Sequence, residues 1–208
     1  MAKIHPNYTS TSTNSSSSNC CCVSSSERET FTVWMKSLVF HGNGCTVFNS
    51  RGDVVFRVDN YQQRCSNKVY LMDSNGKVLF TINRKKLPIF GYWEGFKWIG
   101  NSRVGKERPW FQVRRTHPIL SKDVSCIVNL KSDENIGRRC YKILGLEGKS
   151  ALKIIDFSGQ TVAEATQKQS SSGVLLGEDV LTLMVEANAD KSLIMALVTV
   201  YGLINKKL

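Results

Sequence analysis

The chain has 208 residues, of which 41 % are hydrophobic, and its nine Phe, four Trp and six Tyr supply enough apolar volume for a sizeable core. The 28 Lys and Arg outnumber the 17 Asp and Glu, which gives a formal net charge of +11. A chain of this length forms one large domain or two small ones. Its basic charge implies an anionic partner such as a phospholipid surface or nucleic acid, and the alternative is a solvated basic face that keeps the protein soluble.

Residues 1–29 are predicted to be a disordered tail rich in Ser, Thr, Asn and Cys, because the segment has no pattern that could bury an apolar face. Met1 to Ser26 has no apolar core typical of a signal peptide. The seven cysteines are an odd number without a CxxC pair, so we expect a reduced, intracellular protein. Within the tail, Cys20, Cys21 and Cys22 are candidate S-acylation sites; an organelle transit peptide and a plain flexible tail are the alternatives.

Three segments of the chain repeat one pattern: an apolar strand, an Asx residue, two further residues, a Gly and a second strand. They are CTVFNSRGDVVFRVDNY, VYLMDSNGKVLFTINRK and LKIIDFSGQTVAEATQK. Asx starts a type I turn by bonding its own backbone, and Gly takes the left-handed position that closes the turn. The repeats therefore predict a meander of antiparallel hairpins.

The side chains of these strands alternate between two faces. Counted from each Gly, Val54, Phe56 and Val58 share the inward face with Val78, Phe80 and Ile82, whereas Arg57, Asp59, Thr81, Asn83 and Lys85 point outward. In the third repeat the inward residues are the small Thr161, Ala163 and Ala165, which leave room for something bulky. Further strands are expected at Phe31–Val39, Trp110–Arg114, Ser125–Leu130, Tyr141–Leu144 and Val180–Val185.

A basic stretch runs from Arg57 to Arg115, with thirteen Lys and Arg against four acids. Within it, residues 87–115 interleave seven aromatic side chains with cations. Such a mixture suits a lipid headgroup interface or stacking on nucleic-acid bases, although the aromatic residues could equally be core residues of strands. The candidate lipid-binding residues are Arg84, Lys85, Lys86 and Lys97. Lys85 is outward by parity, whereas Arg84 and Lys86 must lie past the rim of the sheet to reach solvent.

The chain shows no motif that argues for an enzyme. Gly100–Glu107 (GNSRVGKE) nearly matches a phosphate-binding loop, but Glu107 replaces the hydroxyl that would hold Mg²⁺ and Pro109 obstructs the helix that should follow. The three histidines are far apart and form no Cys/His pairing at zinc-ligand spacing. We therefore predict no catalytic residue, no metal site and no cofactor.

The end of the chain, Ser192–Asn205 (SLIMALVTVYGLIN), is uncharged and almost wholly apolar. As a helix it would span roughly 20 Å, short of the ~30 Å hydrocarbon core of a bilayer. Asp190 suits an N-cap, and Lys206 and Lys207 suit a helix C-terminus. A helix that is apolar all round is buried, so we predict a helix at about 190–205 enclosed by a closed β-barrel. The rival interpretations are a short membrane tail and a final pair of buried strands.

Four segments resemble plant LURP-one-related proteins: TVWMKSLVFHGNGCTVFNSRGDVVFRVDNY, VYLMDSNGKVLFTINRKKL, WEGF at Trp93–Phe96, and SSGVLLGEDVLTLMVEANADKSLIMALVTVYGLI. The resemblance runs from about Thr30 to Ile204. It implies a mainly-β, tubby-like fold, a barrel of about twelve antiparallel strands closed around an apolar C-terminal helix. It also implies kinship with tubby C-terminal domains and phospholipid scramblases and an association with plant defence. No lipid-contacting residue of tubby can be carried over to this chain by position.

The sequence thus predicts a single barrel domain at 30–208, non-enzymatic and without a transmembrane span. The first functional hypothesis is a membrane-tethered module that binds anionic phospholipid, phosphoinositide included. The second is a protein-interaction or transcription-linked module whose basic surface meets a protein partner or DNA, although direct reading of nucleic acid lacks a recognisable motif. We expect it in the cytoplasm, at the plasma membrane or in the nucleus.

Overall fold

The computed structural model describes residues 27–36, 43–60, 68–86, 91–99, 102–103, 108–116, 124–131, 140–146 and 151–205. These form thirteen strands and one helix. The strands are β1 (Glu29–Trp34), β2 (Asn43–Phe48), β3 (Val54–Asn60), β4 (Lys68–Asp73), β5 (Val78–Lys85), β6 (Tyr92–Ile99), β7 (Ser102–Arg103), β8 (Phe111–Arg115), β9 (Ser125–Leu130), β10 (Cys140–Leu146), β11 (Ala151–Ile155), β12 (Thr161–Gln167) and β13 (Val180–Val185); the helix is α1 (Lys191–Ile204).

Twelve of the strands form one closed antiparallel ring, which confirms the predicted fold class. Their order is β5-β4-β3-β2-β1-β13-β12-β11-β10-β9-β8-β6, and the pairing of β5 with β6 closes the ring. The two-residue strand β7 lies outside the ring and pairs with β6 alone. Closure leaves the twelve strands without a free edge.

The three repeated turns form as predicted. Asn49 Oδ1 accepts hydrogen bonds from the backbone amides two and four residues later, and Asp73 and Asp156 do the same. The glycines that close these turns have positive φ angles of 88°, 80° and 84°. Left-handed backbone of this kind is cheap for Gly and costly for a side chain with a Cβ atom.

Helix α1 lies inside the barrel, which confirms the predicted buried helix. Leu193 to Val200 are each at most 4 % exposed, and Asp190 caps the helix by accepting a hydrogen bond from the Leu193 amide at 3.1 Å. The helix ends at Asn205 as C-cap. The two lysines predicted to complement the helix C-terminus, Lys206 and Lys207, lie outside the described residues.

The strands surround the helix with the predicted inward residues. Phe80, Ile82 and Ala165 are fully buried and belong to the same core cluster as Leu197. The outward-pointing Thr81 is also buried, and its hydroxyl accepts a hydrogen bond from Trp98 Nε1 at 2.8 Å. The outer wall is thus covered by an aromatic side chain at this point.

The barrel has two chemically different ends, which we name after the helix. The N-cap end holds Asp190 and the three Asx–Gly turns. The C-cap end holds Asn205, the last residue of β5 and the connection between β12 and β13. Tyr201, in the last turn of α1, donates to the carbonyl of Ala151 at the C-cap end.

Candidate functional site

Three of the predicted site residues lie together where β5 reaches the C-cap end. Arg84, Lys85 and Lys86 are all exposed. Antiparallel pairing places Arg84 opposite Trp93 and Lys85 opposite Tyr92 on β6. Since side chains alternate along a strand, Arg84 has inward parity and reaches solvent only because the strand ends there. This agrees with the position expected from the sequence.

A fourth cation, Arg114 on β8, joins these three. Tyr92 pairs with Arg114 across the strands, and the Arg114 guanidinium carbon lies 5.1 Å from the Tyr92 ring centroid. The Arg84 guanidinium carbon lies 5.8 Å from the centroid of Trp93. Both distances are typical of cation–π contacts. We name Arg84, Lys85, Lys86 and Arg114 the basic cluster.

Glu94 lies beside the basic cluster, and its carboxylate already contacts Gln112 and Lys85. Glu94 is 8 % exposed, and its Oε1 accepts a hydrogen bond from Gln112 Nε2 at 2.8 Å. Its Oε2 lies 3.9 Å from Lys85 Nζ. Since Lys85 keeps about half of its side chain exposed, the carboxylate offsets part of one cation and the cluster stays positively charged.

The structure separates Lys97 from the other three predicted residues. Lys97 pairs with the inward-facing Phe80, and its Nζ lies 3.1 Å from Asp190 Oδ2 and 5.1 Å from the Trp110 ring centroid. It lies five residues along β6 from Tyr92, or about 16 Å. Lys97 therefore sits at the N-cap end, where it neutralises the carboxylate that caps the helix, and it is not part of the basic cluster.

The sequence did not single out Arg114 as a site residue, because its place beside Tyr92 depends on a pairing between distant strands. The candidate acylation sites Cys20, Cys21 and Cys22 lie outside the described residues. They therefore remain predictions from sequence.

A groove lies at the N-cap end, away from the basic cluster. It is a half-open groove of about 620 Å³, bordered by Asp156, Phe157 and Glu186 and, among the described residues, by no Lys or Arg. The hydrogen bond from the Ser158 hydroxyl holds the pKa of Asp156 below its ordinary value of 3.8, so this carboxyl is ionised at neutral pH. A groove with an acidic border does not suit an anionic ligand, so it does not compete with the basic cluster.

Cys126 and the possible metal ligands among the described residues bear on catalytic and metal chemistry. Burial raises the pKa of the Cys126 thiol to about 11, so this sulfur stays protonated and is a core side chain. Within the described ranges, no three His, Cys, Asp or Glu side chains come close enough to hold a metal ion. None of the helices found there is long and apolar enough to cross a bilayer.

Comparison with known proteins identifies the family. The LURP-one-related family model matches residues 29–202. Protein LURP-one-related 4 of Arabidopsis thaliana is 46 % identical, with 86 % of this chain and 80 % of the relative covered. Protein LURP-one-related 11 of the same plant is 42 % identical over 99 % of this chain and 89 % of the relative. An X-ray structure of another Arabidopsis thaliana protein has the same fold, with a TM-score of 0.60, 17 % identity, and coverage of 87 % of this chain and 93 % of that one. The chain therefore belongs to the LURP-one-related family.

Proposed function

We propose that this LURP-one-related barrel is a non-enzymatic module that docks reversibly on anionic phospholipid, phosphoinositide included, and acts in the plant defence response. The observation that carries the proposal is the basic cluster, in which four exposed cations from β5, its C-terminal extension and β8 gather beside Tyr92 and Trp93. Cations attract lipid phosphates, and the half-buried Tyr92 is an amphipathic ring of the kind that favours the headgroup region, whereas Trp93 is 9 % exposed and belongs to the core. The proposal includes the kinship with tubby C-terminal domains and phospholipid scramblases that the sequence resemblance implies.

The expected affinity is modest. Each Lys or Arg near an anionic bilayer surface contributes about 1 kcal/mol. Four cations therefore supply about 4 kcal/mol, which corresponds to a dissociation constant of roughly 1 mM. The basic cluster alone gives weak and salt-sensitive docking, so stable attachment requires a second contact.

Acylation is one source of a second contact. In this proposal Cys20, Cys21 and Cys22 receive acyl chains in the tail, because an acyl chain combined with a basic patch anchors a protein more firmly than either one. Binding of the unacylated protein to vesicles isolates the contribution of the barrel.

Vesicle flotation tests the proposal. Protein without acylation is mixed with phosphatidylcholine vesicles that contain or lack phosphatidylserine and a phosphatidylinositol phosphate. We expect binding only to the anionic vesicles, and we expect Lys85→Glu with Lys86→Glu to weaken it at least about thirtyfold, since two cations contribute about 2 kcal/mol. Arg51→Glu with Lys77→Glu is the matched control, because both residues are exposed and lie at the N-cap end.

Two outcomes contradict the proposal: absence of binding to anionic vesicles, and binding that Lys85→Glu with Lys86→Glu leaves unchanged. Salt-sensitive retention on DNA without lipid binding would instead favour the module that meets DNA through its basic surface.

A further inference from the structure

The connection between β12 and β13 forms a small hairpin that exposes apolar side chains. Val174, Leu175 and Leu176 are 62 %, 56 % and 37 % exposed. Isolated exposed apolar residues are ordinary, but these three are consecutive on the returning arm of one hairpin, directly after the turn Ser170–Gly173, and form an apolar patch of the kind that contacts other surfaces. We name Lys168–Leu176 the apolar hairpin.

The backbone of the apolar hairpin is held by its own hydrogen bonds. Ser170 N donates to Val174 O at 2.8 Å, and Gly173 N donates to Ser170 O at 2.9 Å. Val174 N donates to the Ser170 side-chain oxygen at 3.1 Å. Leu176 N donates to Lys168 O at 2.8 Å, and Gly173 has a positive φ of 80°. The apolar side chains are therefore presented by a fixed turn, and little conformational entropy is lost when they contact a partner.

The apolar hairpin and the basic cluster lie at the same end of the barrel, on opposite sides of its rim. β12 ends and β13 begins at the C-cap end, where β5 also ends. In the ring of twelve strands, β12 is six positions from β5. A flat surface that touches both features must therefore face the C-cap end of the barrel rather than its side wall.

Four cation–π pairs lie around the same end, and Lys97 makes further cation–π contacts with Phe80 and Trp110 at the N-cap end. The pairs share a position near the C-cap rim and centroid distances of 5.1 to 6.0 Å: Lys36 with Trp34, Lys68 with Tyr70, Arg84 with Trp93, and Arg114 with Tyr92. Trp and Tyr beside Lys and Arg are the side chains that membrane proteins place at the lipid headgroup level. In the sequence, Lys206 and Lys207 follow directly after the C-cap residue Asn205.

The acidic residues of the described chain have different partners at the two ends of the barrel. At the N-cap end, Asp53, Glu186 and Asp190 pair with Arg51, Arg28 and Lys97, and the groove there is bordered by the ionised Asp156. Beside the apolar hairpin, Asp179 accepts hydrogen bonds from Trp34 and pairs with Lys36, and Glu178 is exposed. The two acids next to the apolar hairpin are outnumbered by the cations around the C-cap rim, so an anionic surface attracts the C-cap end and not the N-cap end.

We infer that the barrel docks end-on, with its C-cap end against an anionic bilayer and with Val174 and Leu175 of the apolar hairpin inserted between the headgroups. This inference rests on the proposed lipid-binding function and adds the docking face and the apolar contact. The insertion supplies the second contact that the basic cluster lacks. The bound barrel stands with α1 pointing its C-terminus towards the membrane.

The test compares apolar residues from the two ends. Val174→Ser with Leu175→Ser removes the inserted side chains, and Phe157→Ser is the matched control, because Phe157 is 80 % exposed in the β11–β12 turn at the N-cap end. All three side chains are exposed, so the variants keep the fold, which circular dichroism checks. With phosphatidylcholine–phosphatidylserine vesicles we expect the hairpin variant to bind about tenfold more weakly, given the apolar area removed, and the control to bind unchanged.

A second readout reports insertion itself. Leu175→Trp and Phe157→Trp each add one indole to the same four native tryptophans. With vesicles of brominated phosphatidylcholine and phosphatidylserine, we expect the added fluorescence to be quenched in the Leu175→Trp protein and unquenched in the Phe157→Trp protein.

The outcomes separate the inference from the proposed function. If Lys85→Glu with Lys86→Glu abolishes binding while both serine variants bind like the unmodified protein, lipid docking stands and end-on insertion is overturned. Equal loss in the hairpin variant and in Phe157→Ser, or quenching at position 157, also overturns it. If the unmodified protein binds no anionic vesicle, the proposed function itself fails.

Discussion

Gly95→Ala tests the register between β6 and β8. The structure predicts that this substitution destabilises the fold, whereas Gly→Ala in a strand usually stabilises it. Gly in a strand costs roughly 0.5–1 kcal/mol relative to Ala, so Gly→Ala at a roomy position stabilises. A Cβ atom at Gly95 would fall well inside van der Waals contact with Cε1 and Cζ of Phe111 and 2.7 Å from its Cδ1, where ordinary contact begins at 3.4 Å. Phe111 is fully buried, and its ring centroid lies 5.7 Å from that of Phe80.

Because the Phe111 ring has no room to retreat, we expect Gly95→Ala to destabilise the fold by about 1–3 kcal/mol, the usual cost of overpacking a core. Urea unfolding followed by tryptophan fluorescence gives the free energy of unfolding. Phe111→Leu, which trims the ring, should rescue part of the loss, so that the double variant shows a favourable coupling of about 1 kcal/mol. Gly173→Ala is the control: its cost comes from the positive φ, with nothing within 4 Å, and Phe111→Leu should not change it. A Gly95→Ala protein as stable as the unmodified one, or a strictly additive double variant, would refute the pairing of β6 with β8.

Two further predictions concern the helix. Leu197→Asp should unfold the domain, because Leu197 is fully buried and an unpaired carboxylate there costs far more than the few kcal/mol of stability to spare; a folded protein that merely lost membrane association would support the rival membrane tail instead. Asp190→Asn should remove an acid-sensitive part of the stability. Burial acts to raise the pKa of Asp190, but hydrogen bonds from Ser192 and the Leu193 amide, with the charge of Lys97, outweigh it and hold the pKa below 3.8. Its contribution is therefore present above about pH 4 and is lost as the pH falls through the lowered pKa. Unfolding midpoints measured from neutral to acidic pH should fall less steeply in Asp190→Asn, and parallel curves would contradict this assignment.

The parts of the fold that depend on local chemistry could be predicted from the sequence. Asn49, Asp73 and Asp156 each set a turn through their own neighbouring amides, and Asp190 caps a helix three residues away. The two-residue alternation places Phe80 and Ile82 on the inside, where both are fully buried. Each of these features depends on residues only a few positions apart, so it can be predicted from the sequence alone.

The parts that depend on distant pairing could not be predicted. Strand β6 carries aromatic residues on its outward face as well, so its alternation is hidden, and Trp98 covers Thr81 on the outside. The place of Lys97 beside Asp190, and of Arg114 beside Tyr92, follows from the register between strands. The apolar hairpin and the basic cluster lie at the same end of the barrel because of the strand order in the closed ring, which the sequence does not reveal.

Hydrogen–deuterium exchange of the full chain, with and without phosphatidylcholine–phosphatidylserine vesicles, locates the face that meets the bilayer. End-on docking predicts added protection at Lys85–Lys86 and at Ser170–Leu176, both at the C-cap end. It predicts no change in the turns Asp73–Gly76 and Asp156–Gly159 at the N-cap end. Protection confined to those turns, or no change at all in protein that floats with the vesicles, would contradict the account.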